Sequence, residues 1–184
     1  MPSTPEATAR VFFALLPPPP LQRALAELAR DTAREARGKA VPAENLHMTL
    51  AFIGAWPVTR LAALWDTSAT VRGEPLRITL DARGAFRRAG IAWIGASVSP
   101  PALIQLAAAL ADELSAAAVT LDARPFRPHL TLARHCKGPC PQGKTGPFNW
   151  DVDRLVLMRS QTRAEGARYS EWASRPLGSA AISS

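Results

Sequence analysis

The chain writes one order of elements twice. From position 11 to 54 an apolar stretch (VFFALL), a proline run, a helix-period segment and the strand LHMTLAFIG follow one another; from 91 to 134 IAWIGASV, a proline pair, ALIQLAAALADELSAAA and FRPHLTLAR do the same. Pro20 precedes His47 by 27 positions and Pro101 precedes His129 by 28. Two copies are too few for a solenoid, so the repeat demands two similar lobes that share a core and meet across a cleft.

Local spacing supports each part. Leu21, Leu25 and Leu28 fall on one face of a helix over 21–37, and Leu103, Leu106, Leu110 and Leu114 form one stripe of a helix over 102–118. The prolines ahead of both suit helix entry, where a missing N–H costs nothing. After Pro57 a further helical stretch runs through Leu61, Leu64 and Trp65 to about Val71. Strands over 76–86 and 91–98 read as a hairpin, and the Gly/Pro-rich loop 135–147 leads to two more strands, 152–160 and 167–174. Mixed order with short connections predicts an α+β fold: two pseudo-symmetric lobes, mainly antiparallel sheets with outer helices, and a central cleft. The expected domain is 10–175, with a flexible N-terminus over 1–9 and a flexible tail over 176–184.

Both repeat units end on the pattern His-x-Thr-Leu: HMTL from His47 and HLTL from His129. Along a strand, residues i and i+2 share a face. His47 and Thr49 therefore point one way and Met48 and Leu50 the other; His129 and Thr131 repeat this opposite Leu130 and Leu132. An imidazole titrates near neutrality, so one ring can take a proton while the other gives one. Displacement at phosphorus places nucleophile and leaving group roughly in line on opposite sides, which suits an acid facing a base. The two hydroxyls can hold the nonbridging oxygens. The chemistry expected is phosphoester cleavage without a metal or other cofactor.

The formal charge of +7, from 22 Lys and Arg against 15 Asp and Glu, nominates a phosphorylated partner such as RNA. A content of 47% hydrophobic residues excludes a disordered chain. No stretch suits an export signal or a span, so a cytoplasmic, membrane-free, monomeric protein without an obligate protein partner is expected. Cys136 and Cys140 share one loop, where a structural disulfide is not expected, and with His135 they lack a fourth zinc ligand. GPCPQGKT (138–145) satisfies the P-loop pattern literally, but Pro139 and Pro141 lack the N–H donors of a phosphate cradle and Gly146-Pro147 blocks the helix that must follow.

The paired HMTL and PHLTL motifs, the opening RVFFALLPP, and the contexts ENLHMTLAFIG and FRPHLTLAR resemble the 2H phosphoesterase superfamily, and within it the RNA 2′,3′-cyclic phosphodiesterases, also called 2′-5′ RNA ligases. The resemblance covers about residues 10–175. It implies hydrolysis of a terminal 2′,3′-cyclic phosphate on RNA, or of cyclic-phosphate nucleotides, to a 2′-phosphomonoester, with possible reversible 2′-5′ ligation. His129 would be the base that activates water and His47 the acid on the departing 3′ oxygen. The resemblance also implies that Phe13 lines the nucleotide site by base stacking and that Arg134 binds phosphate. Strict alternation would set Arg134 on the face opposite His129, so that role needs a bulge or strand end. The alternative from another class is an RNA-end-binding module without turnover.

Overall fold

The computed structural model describes residues 7–122, 124–163 and 166–178. In chain order the elements are β1 (Thr8–Leu15), α1 (Pro19–Glu35), β2 (Lys39–Ala40), β3 (Met48–Pro57), α2 (Leu61–Thr67), β4 (Leu76–Phe86), β5 (Ile91–Gly95), α3 (Pro101–Ala116), β6 (Leu130–Arg134), β7 (Gly143–Val152), β8 (Arg154–Arg163) and β9 (Gly166–Pro176). Every strand pairing is antiparallel, so the fold is α+β as expected.

The strands join in the order β7-β4-β5-β6-β3-β1-β8-β9, with β2 paired to β6. The order is a palindrome of roles. Outward from the middle, β3 is followed by β1, the strand that leads into α1, and β6 by β5, the strand that leads into α3. Each half is completed by a further antiparallel pair, β8-β9 or β4-β7. The halves meet where Met48 pairs with Leu130, and both side chains are fully buried.

The repeat extends to the helix ends. Both helices enter through proline, with Pro18 and Pro100 at the N-caps. Both leave through a residue in the left-handed conformation, Arg37 at φ +50 and Ala118 at φ +59. In each case the next N–H returns to the helix, Gly38 to the Ala33 carbonyl at 2.8 Å and Val119 to the Leu114 carbonyl at 2.9 Å, which satisfies carbonyls the helix leaves open. The predicted stripes face the core: Leu21 and Leu25 of α1 are buried and Leu28 is half-buried against them, and Leu103, Leu106, Leu110 and Leu114 of α3 are all buried. Burying each such leucine contributes roughly 1.5–3 kcal/mol.

Several bounds differ from expectation. The strand over 46–54 is observed as Met48–Pro57 and that over 126–134 as Leu130–Arg134, so both histidines sit one residue ahead of their strands. The segment after Pro57 forms a 3-10 turn and a helix ending at Thr67. β7 begins at Gly143, inside the stretch that reads as loop; it lies at the sheet edge, paired only with β4, where glycine and proline are tolerated. That strand also removes the P-loop reading, because Lys144 and Thr145 are extended rather than helical. Thr8 and Ala9 already belong to β1, and Leu177 is buried with its N–H on the Asp153 carbonyl. The expected flexible ends otherwise fall on 1–6 and 179–184, outside the described residues.

Candidate active site

His47 and His129 are held by the same local device. Nδ1 of His47 lies 2.7 Å from the Asn45 carbonyl and Nδ1 of His129 lies 2.6 Å from the Arg127 carbonyl, each two residues back. A carbonyl only accepts, so Nδ1 carries the proton in both rings, and Nε2 is the nitrogen left to exchange protons. Met48 and Leu130, the residues that directly follow the two histidines, pair across the seam. All four side chains line one cleft of about 1290 Å³.

Aromatic rings enclose each imidazole. Phe12 lies 4.7 Å and Tyr169 5.2 Å from His47, centroid to centroid. Phe86 lies 4.9 Å and Trp93 6.3 Å from His129. The burial that results holds both rings neutral. His47 is lowered to about 4, first by burial and then by the charges of Arg134 and His129, against the opposing Asn45 hydrogen bond. His129 is lowered from 6.5 by burial and by Arg134, against its bond to Arg127.

Arg134 reaches this site through a bulge. Ala92 pairs with Ala133 but Trp93 pairs with Thr131, so β6 carries one extra residue at Leu132. Leu132 and Ala133 are both buried, alternation is reset, and Arg134 returns to the side of Thr131 and lines the cleft.

Phe13 is a correction. It is fully buried in the main core and stacked on Trp65 at 6.0 Å, away from the cleft. Its neighbour Phe12 faces the other side of the sheet, packs with Ala14, Val156 and Met158, and lines the cleft beside His47. Adjacent residues of a strand point to opposite faces, so only one of the pair could reach the site. That parity was readable; which face was the cleft was not.

Sequence reading also missed Tyr169, Phe86 and Trp93, which carry no local pattern and arrive from β9, β4 and β5. Charge in the cleft is strongly basic. Arg10, Arg87, Arg88, Arg124, Arg127 and Arg134 line it, with Asp122 as the single carboxylate among the described residues, itself paired with Arg124. Among the described residues no cluster of three or more His, Cys, Asp or Glu could hold a metal ion. No described helix is long and apolar enough to cross a membrane.

The fold recurs in known proteins. Residues 17–164 match the model of the 2′-5′ RNA ligase superfamily. An RNA 2′,3′-cyclic phosphodiesterase of Escherichia coli is 31% identical, the match covering 88% of this chain and 92% of that protein. One of Thermus thermophilus is 33% identical over 88% and 86% of the two chains. The crystal structure of E. coli LigT complexed with 3′-AMP superimposes with a TM-score of 0.86 at 28% identity, covering 94% of this chain and all of that one. With the family model spanning most of the chain and the two relatives matching nearly its whole length, this chain belongs to the 2′-5′ RNA ligase superfamily, the 2H phosphoesterases.

Proposed function

We propose that the protein hydrolyses the terminal 2′,3′-cyclic phosphate of RNA to a 2′-phosphomonoester, using His47 and His129 as its acid/base pair. The observation that carries this reading is the matched pair of imidazoles: each ring is tied through Nδ1, each has its Nε2 left to exchange protons, and both line one basic cleft. His129 Nε2 takes a proton from water as the water oxygen bonds to phosphorus. The bond from phosphorus to the 3′ oxygen breaks, and His47, which gains a proton on Nε2 when the phosphate anion binds beside it, gives that oxygen the proton. The Thr49 and Thr131 hydroxyls and the Arg134 guanidinium hold the nonbridging oxygens, where charge accumulates. No step requires a metal ion. With an RNA 5′-hydroxyl in place of water, the same events run as 2′-5′ ligation.

The working unit is the expected domain over 10–175, extended to Thr8 and Leu177. One chain supplies the whole cleft, which supports a monomer. The unbridged Cys136 and Cys140 are in keeping with a cytoplasmic setting.

The test is a short RNA ending in a 2′,3′-cyclic phosphate, incubated with the protein and EDTA, with the terminal phosphate then identified. A 2′-phosphate is expected. A 3′-phosphate would reverse the regiochemistry, and intact binding without product would select the RNA-end-binding module instead.

A further inference from the structure

The two-residue strand β2 sets Lys39 directly across from Arg134 of β6. Directly opposed residues of an antiparallel pair share a face, and like charges placed so are destabilising. No carboxylate relieves them: among the described residues neither cation takes part in an ion pair. The next residue, His135, is held at φ +56, a conformation that costs a non-glycine residue and persists where the surroundings enforce it. Lys39, Arg134 and His135 together line a pocket of about 220 Å³ that borders His47 and Thr131 and, among the described residues, has no acidic side chain in its wall.

A cross-strand pair of cations and an anion-sized hollow next to the reaction cleft, with His135 on its wall, have one common remedy, a bound anion. We infer that this pocket is a second phosphate subsite, which takes the RNA phosphodiester next to the reactive cyclic phosphate. Arg134 lies between the two phosphates, while Lys39 and His135 serve only the second. The enzyme thereby prefers a chain end to a lone nucleotide. This rests on the cyclic phosphodiesterase reading for its turnover test and is independent of it for its binding test.

The experiment compares adenosine 2′,3′-cyclic phosphate with an adenylyl dinucleotide ending in the same group, for the intact protein and for Lys39→Ala and His135→Asn. Lys39 is exposed, so its truncation leaves the fold intact, and asparagine tolerates the left-handed backbone. Losing one charged contact is expected to lower kcat/KM for the dinucleotide about tenfold in Lys39→Ala, with the mononucleotide unchanged. Lys39→Arg should restore the preference. Equal losses on both substrates, or none on the dinucleotide, overturn the inference. Binding is read separately with adenosine 2′-monophosphate and the dinucleotide 2′-phosphate. Equal affinities overturn the subsite whether or not turnover occurs; tighter dinucleotide binding that depends on Lys39, with neither cyclic substrate converted, keeps the subsite and removes the phosphodiesterase reading.

Discussion

Met48 pairs with Leu130 at the seam between the two halves of the sheet, and each residue directly follows a cleft histidine. The packing of two apolar side chains thus sets the distance between two imidazoles. Both partners are fully buried, so the placement of the two imidazoles is anchored in the core.

His47→Ala and His129→Ala should each lower kcat/KM by about 10²–10⁴. A substrate whose leaving group needs no proton separates the roles. Bis(p-nitrophenyl) phosphate should remain a substrate for His47→Ala and be lost with His129→Ala; the opposite pattern exchanges acid and base. A pH–rate bell that keeps both limbs in His47→Ala would remove the pair from the mechanism.

Binding of a phosphate ester should take up protons. Burial and Arg134 keep His47 neutral, lowered to about 4, yet the proposed acid role requires its imidazolium. A phosphate anion beside the ring favours that charged form. Calorimetry of adenosine 2′-monophosphate at pH 7, in buffers of different ionisation enthalpy, should give net uptake that falls in His47→Gln. Equal uptake by the two proteins would refute the coupling.

His47 should also make the fold acid-sensitive. Its folded value lies below that of an unfolded histidine, so the unfolded chain binds the extra proton. The contribution to stability is complete above about 6.5 and is lost as pH falls toward about 4, a change of roughly 3 kcal/mol. Urea unfolding of His47→Gln should show a smaller loss over that interval than the intact protein. Parallel curves would contradict the burial of a neutral ring.

Gly84 should prove to be a positioning residue. It pairs with Trp93, and a methyl group there would overlap the indole at Cζ2 and Cη2. Gly84→Ala must move the ring that flanks His129. The expected outcome is a fall in kcat of about tenfold or more, since small misplacements at a reaction centre are costly, together with a shifted limb of the pH–rate profile. A loss of stability with an unchanged profile would make the glycine purely structural.

Ala118→Gly should stabilise the protein. Ala118 is exposed and held at φ +59 at the end of α3, a conformation that costs a residue with a Cβ roughly 1 kcal/mol. A rise in Tm of about 2–4 °C is expected at this chain length. A fall in Tm would show that the methyl group packs in a way its exposure conceals.

What the sequence determined by itself lies in short-range periodicity. Leucines at helical spacing, prolines at two helix entries and alternation through His-x-Thr-Leu are properties of a dozen neighbouring residues. They were sufficient for the α+β class, the duplication and the two one-faced His/Thr pairs. The tertiary structure decided whatever depends on a distant partner. Only pairing across the sheet tells that Phe12, and not Phe13, faces the cleft. The bulge that returns Arg134 to the site exists because β5 and β6 slip in register, and β2 is a strand only because β6 offers it an edge. The pKa of His47 is likewise set by burial among residues up to 122 positions away, from Phe12 to Tyr169. Local pattern specifies which way a side chain points along its own strand; packing between strands specifies what it meets there, and catalysis is chemistry between residues that meet.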